Sequence, residues 1–187
     1  LKNKQKIVID IGAAIGDFSI FASKIADTVY AIEPEYSSVK LLQENIKENN
    51  IKNIKVFPLA LDSTRSKVSL SIDKQNHAHT NTFSKTNLVS VKSRSFSSFL
   101  EEHVGKYPAY VKCDCEGAEY DIFNSLSSRD YSKISDIVME YHLFNSKHQR
   151  GIKILKSKLL SSGFYLKQTP NPVHRNIGFI FASRTKS

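Results

Sequence analysis

The stretch IVIDIGAAIGDFSIF, residues 7–21, decides the architecture. Its first five residues, Ile7 to Ile11, form a short apolar run of the kind that makes a strand buried on both faces. Gly12 and Gly16 follow, and the apolar residues then change period, with Phe18, Phe21, Ala22 and Ile25 recurring at helical spacing. A strand that turns through glycines into a helix lets backbone approach a ligand closely and offers the free N–H groups of a helix N-terminus. A dinucleotide fingerprint would require G-x-G-x-x-G; here Ala14 breaks that spacing and Asp17 takes the place of the third glycine. A carboxylate there would repel a pyrophosphate. No G-K-[ST] follows, which excludes a Walker-type loop. The turn suits a ligand that lacks phosphate and carries positive charge, with Asp10 placed to meet an ammonium group directly or through water.

The same alternation continues outward. Apolar runs at 28–32, 54–59, 110–113, 137–140 and 178–182 read as further strands. Between them lie helical stripes: Val39, Leu42 and Ile46; Glu119, Ile122, Phe123 and Leu126; Ile152, Leu155 and Leu159. Strand and helix in turn imply an α/β protein, an open and mostly parallel sheet with helices on both faces. The end differs, because GFYLKQ and IGFIFAS flank the turn PNPVHRN and read as a hairpin whose last strand runs antiparallel. The 187 residues fit one domain, 1–187, with a polar insertion at 62–98. There Val68, Leu70 and Ile72 alternate, as do Val89 and Val91, suggesting an edge hairpin with a long polar tip around 74–87, a lid or substrate-selecting loop.

Composition is globular, 40% hydrophobic and 24% charged. No apolar run reaches the roughly 20 residues of a membrane span, and none reads as a signal peptide. Cys113 and Cys115 sit two apart in an apolar run, where a disulfide would be strained; read as reduced and packed, they favour a cytoplasmic location. The net charge of +9 is spread along the chain without a dense basic block, so nucleic acid is not the expected partner. Oligomeric state is not readable.

Two further clusters bear on a ligand. Glu33, in AIEP, closes the second strand about 20 residues after Gly12, the spacing at which an acid accepts hydrogen bonds from ribose hydroxyls. In YVKCDCEGAEY, residues 110–120, a buried strand carries Lys112, Asp114 and Glu116 to its carboxyl end before Gly117 turns the chain. Ionisable groups there are costly unless solvated, paired or used. Ligands lie beyond the carboxyl ends of such strands, so Asp114 should share a crevice with Gly12 and Glu33. Glu119 reads as an acid in a first helical turn.

Taken together, DIGAAIGDFSIF, AIEPEYSSVKLLQENI, VFPLAL, KCDCEGAEYDIF and IVMEYH resemble the FkbM-type methyltransferase family in order and spacing from about residue 7 to 142. The resemblance implies the class I methyltransferase fold, a Rossmann-like seven-stranded sheet with one antiparallel strand. It also implies S-adenosylmethionine as cofactor, S-adenosylhomocysteine as product, and O-methylation of a sugar, glycan or polyketide-like natural product. Carried across by motif, it puts Asp10, Gly12, Ala13, Ala14 and Gly16 at the methionine end of the cofactor and Glu33 on the ribose. Pro34 and Ala60 would line the adenosine pocket, with Leu61 and Asp62 near the adenine. Asp114 and Glu116 would face the methyl and the acceptor, with Lys112 on the substrate side. Ala14 stands where the family often has Asn.

A sugar hydroxyl is a weak nucleophile, so a base at a strand end should help by about 10²–10⁴-fold. His142, closing IVMEYH, is the first candidate, with Asp114 orienting it or the acceptor, and Asp114 and Glu140 are the alternative bases. These residues could also hold a divalent ion, but nothing in their spacing demands one, and no metal is assigned. His77 and His79 read as solvated loop residues. Two other readings compete: a nucleic-acid methyltransferase, although no N-P-P-Y-like motif follows the fourth strand, and a noncatalytic adenosyl-binding module.

Overall fold

The computed structural model describes residues 6–63, 67–72, 80–81 and 88–186. In chain order the elements are β1 (Ile7–Ile11), α1 (Asp17–Ser23), β2 (Thr28–Ile32), α2 (Tyr36–Glu48), β3 (Ile54–Phe57), β4 (Ala60–Asp62), β5 (Lys67–Ile72), β6 (Thr80–Asn81) and β7 (Leu88–Ser95). They continue with α3 (Phe96–His103), β8 (Ala109–Cys113), α4 (Glu119–Asn124), α5 (Ser128–Ser132), β9 (Ile134–His142), α6 (Ser146–Ser161), β10 (Tyr165–Pro170) and β11 (Ile177–Ser183).

Among the described residues a seven-stranded sheet runs in the order β10-β11-β9-β8-β1-β2-β3. The chain order reverses between β1 and β8, which pair in parallel, and β2 pairs in parallel on the other side of β1. That reversal is the switch point beyond which α/β sheets bind ligands. β11 is antiparallel to both β9 and β10, so the closing hairpin forms as its turn chemistry implies. This is the class I methyltransferase fold, Rossmann-like and mostly parallel.

Alternation along β1 sorts the core. Ile7, Ile9 and Ile11 join the large cluster beneath α3, α4 and α6, with Phe96, Phe99, Ile122, Phe123, Leu155 and Leu159. Val8 packs on the other face with Ala22 and Val29, while Ala13, Ala31 and Leu42 form a third cluster under α2. Asp10 shares the face of Val8, and it is fully buried there.

Three features depart from the sequence reading. Helix α1 ends at Ser23 and buries Ser19 and Ala22, leaving Phe21 and Ile25 about two-thirds exposed (61% and 64%). Ser19 turns inward instead, its hydroxyl donating to the buried Asp10 carboxylate at 2.6 Å, while Phe18 and Ala22 of the stripe still pack on Val8 and Val29. Second, the hairpin of the polar insertion is not an edge of the main sheet. β5 and β7 pair antiparallel, Val68 opposite Val91 and Leu70 opposite Val89, and β7 also pairs in parallel with β4, making a separate four-stranded sheet. Third, the insertion stops at Ser95, whose hydroxyl caps α3 by accepting from the Ser98 N–H. Phe96, Phe99 and Leu100 of this helix are completely buried. Apart from Thr80 and Asn81, the tip at 74–87 lies outside the described residues, as do His77 and His79.

Candidate active site

A crevice of about 320 Å³ opens beyond the carboxyl ends of β1, β2, β8 and β9. At one end Glu33 meets Pro34, Ala60 and Leu61; at the other Asp114, Glu116, Glu140 and His142 converge. Among the described lining residues four are carboxylates and the basic one is His142.

The turn after β1 is tied to both neighbouring strands. The N–H groups of Gly12 and Ala13 donate to the Ile32 carbonyl at 3.0 and 3.1 Å, and the Asp114 N–H donates to the Ile11 carbonyl at 3.0 Å. Gly12 has φ 76°, and a Cβ there would lie 1.8 Å from the Asp114 carbonyl oxygen, so only glycine lets the turn lie against β8. Gly16 has φ 99°, and a Cβ there would lie 2.3 Å from Leu42 Cδ1. Ala14 adopts a left-handed φ of 46° and donates its N–H to Glu33 at 2.9 Å.

Glu33 is 5% exposed, and burial raises its pKa even though Glu35 and Ala14 each donate a backbone N–H to it. Each carboxylate oxygen accepts one such bond, leaving acceptor capacity for a ribose hydroxyl.

Asp10, Lys112 and Gly12 form a different unit from the one expected. Asp10 and Lys112 face each other in register across β1 and β8, with Lys112 Nζ 3.3 Å from Asp10 Oδ1 and donating to the Gly12 carbonyl at 2.9 Å. Burial raises the Asp10 pKa; burial works against the Lys112 ammonium, but Asp10 and Asp114 beside it prevail and hold its pKa up. Neither lines the crevice, and both act on it through the turn they brace. Ala13 is buried against Leu42, and Asp17 is exposed in the first turn of α1 rather than facing the crevice.

The other end is built on a strained bend. Glu116 and Gly117 have φ of 53° and 101°, and the chain then enters α4. Glu119, passed over as a helix-dipole acid, is fully buried and accepts from the Gly117 N–H at 2.7 Å and the His142 N–H at 2.9 Å. The last acid of K-x-D-x-E-G-x-E was its signal in the sequence. His142 is 1% exposed, with Nε2 3.4 Å from Glu116 Oε2 and Nδ1 3.4 Å from Glu119 Oε1. Burial disfavours its charged form, but Glu119, Glu116 and Asp114 outweigh this and raise its pKa. Burial also raises the pKa of Glu140, reinforced by Asp114 and Glu116. Cys115 lines the crevice as a free thiol 3.3 Å from that of Cys113, and this contact and burial hold its pKa well up. Leu70, from the separate sheet, and Ile177, from β11, complete walls that no motif marked.

A glycine turn, a ribose-spaced acid and an acid-rich floor suit an adenosyl ligand that carries positive charge and lacks phosphate. Fold and site together define a class I methyltransferase. Residues 10–166 match the model of the Methyltransferase FkbM domain, and the chain belongs to that family. S-adenosylmethionine is the cofactor of this domain. A curated relative, Methyltransferase 1 of Beauveria bassiana (strain ARSEF 2860), is 25% identical over 184 residues, covering 86% of this chain and 72% of that protein. The solved FkbM methyltransferase of Methylobacillus flagellatus KT has a TM-score of 0.62 at 16% identity; the match covers 95% of this chain and 43% of that one, so this chain spans under half its length. An rRNA methylase of Streptococcus thermophilus shares the fold with a TM-score of 0.62 at 8% identity, covering 98% of this chain and 89% of that one. No helix among the described residues is long and apolar enough to cross a membrane.

Proposed function

We propose that this chain O-methylates a hydroxyl of a small molecule, such as a sugar, a glycan or a polyketide-like natural product. The observation that carries this is the polarity of the crevice, an end where Pro34, Ala60 and Leu61 stand beside Glu33 and an acidic end without lysine or arginine among its described lining residues. S-adenosylmethionine, when bound, supplies an electrophilic methyl on a sulfonium. Glu33 would accept hydrogen bonds from the ribose hydroxyls, and Pro34, Ala60 and Leu61 would cover the base. The Lys112–Asp10 brace keeps the Gly12 turn where backbone can touch the donor. Asp114 and Glu116 orient the acceptor. Glu140, on the crevice wall, would take the acceptor proton as the acceptor oxygen is alkylated. His142, enclosed between two carboxylates, positions them rather than taking that proton. The sheet of β4 to β7 acts as a lid, placing Leu70 over the acceptor.

A second reading, methylation of nucleic acid, draws on the +9 charge and on the fold shared with the rRNA methylase. The acidic floor opposes it, because phosphates approaching Asp114, Glu116 and Glu140 are repelled. Incubation with methyl-labelled S-adenosylmethionine and either total RNA or a panel of glycosides separates the two. Label in glycoside products supports the proposal, and label confined to RNA overturns it.

A further inference from the structure

We propose that Asp114, Glu116 and His142 form a binding site for one divalent transition-metal ion, of the Mn²⁺ type, at the acceptor end of the crevice. Each residue offers one ligand atom, and the three atoms lie within 4.8 Å of one another. Small side-chain rotations would bring all three to the roughly 2.0–2.4 Å of metal–ligand bonds around a single ion. The donor set is mixed: two carboxylates suit Mn²⁺ as they suit Mg²⁺ or Ca²⁺, and the imidazole nitrogen favours the transition ion over those two.

The histidine is the independent observation. His142 is 1% exposed, and its Nδ1 makes no hydrogen bond. Its Nε2 is aimed into the cluster at 3.4 Å from Glu116, longer than the roughly 2.7–2.9 Å of a charge-assisted hydrogen bond. A ligand-to-ligand gap of this size is what two donors show around a shared ion. Behind the ring, the buried Glu119 faces Nδ1 at 3.4 Å and is anchored by the Gly117 and His142 N–H groups. A carboxylate stands behind the ring where a metal-ligating histidine takes its outer-shell support, and a small ring rotation would close this gap to a hydrogen bond. The inference rests on the methyl-transfer reading for its purpose. The remaining positions on the ion would take the acceptor oxygen, fixing it and favouring loss of its proton.

The test is a titration of the chain with Mn²⁺, followed by the loss of the free-ion paramagnetic resonance signal, with calorimetry of S-adenosylhomocysteine in parallel. One Mn²⁺ per chain is expected. Glu116→Gln should weaken the ion at least about 10-fold; Asp114→Asn should behave alike and replaces it if the first variant fails to fold. No saturable Mn²⁺ binding, or wild-type Mn²⁺ affinity in folded Glu116→Gln, overturns the inference. Bound S-adenosylhomocysteine without Mn²⁺ removes the ion alone, whereas loss of S-adenosylhomocysteine binding in the wild type removes the methyltransferase reading itself.

Discussion

Gly12 shows how little freedom the turn has. With φ at 76° and a Cβ destined to meet the Asp114 carbonyl at 1.8 Å, Gly12→Ala must push β1 and β8 apart. It should lower the melting temperature and abolish S-adenosylhomocysteine binding in calorimetry; retained affinity would mean that the turn is not the donor contact. Ala14 carries the opposite strain, an L-residue at φ 46°. Ala14→Gly should stabilise the fold by about 0.5–1 kcal/mol in denaturant unfolding. The buried Lys112–Asp10 pair is of a third kind. Lys112→Met strands a buried carboxylate and should cost about 3–5 kcal/mol, and Asp10→Asn in the same chain should recover part of that loss. Additive losses in that cycle would show that the two groups do not interact. The sequence marked Lys112, Asp10 and Gly12 separately. Their union was hidden because it depends on the strand register that sets residue 10 opposite residue 112.

At the scale of elements, strands were easier to read than the segments beside them. Continuous apolar runs such as Ile7–Ile11 suit strands buried on both faces of a parallel sheet, so β1, β2 and β8 followed from the apolar pattern, and the closing hairpin from its turn residues. Helix α3 did not, although Phe96, Phe99, Leu100 and His103 carry a helical period, because its serines resemble the polar stretch before it. The helix also carries a titration. The His103 ring stacks on Phe99, Tyr30 and Phe57 with centroids 4.4, 5.1 and 5.0 Å apart, and burial lowers its pKa. A histidine whose folded pKa lies below its unfolded value contributes stability at neutral pH that is lost as the pH falls below about 6.5. The melting temperature should therefore drop between pH 7.5 and 5.5 more steeply in the wild type than in His103→Phe. Parallel slopes would refute this source of acid sensitivity.

For the whole molecule, the governing property is the contrast between a basic exterior and an acidic crevice. The +9 charge belongs to the chain as a whole, whereas the crevice gathers Glu33, Asp114, Glu116 and Glu140. Charge composition could not disclose this contrast, because it appears only when four strand ends come together. The central claim is that the crevice binds the adenosyl donor. The most direct measurement is a calorimetric titration with S-adenosylhomocysteine of the wild type and of Glu33→Ala, with melting temperatures recorded beside it. The account predicts one site per chain and strongly reduced affinity in the variant. At about 100 times the dissociation constant the ligand should add about 2.7 kcal/mol, or about 5–10 °C in melting temperature. No binding by the folded wild type, or equal affinity in the variant, would contradict it.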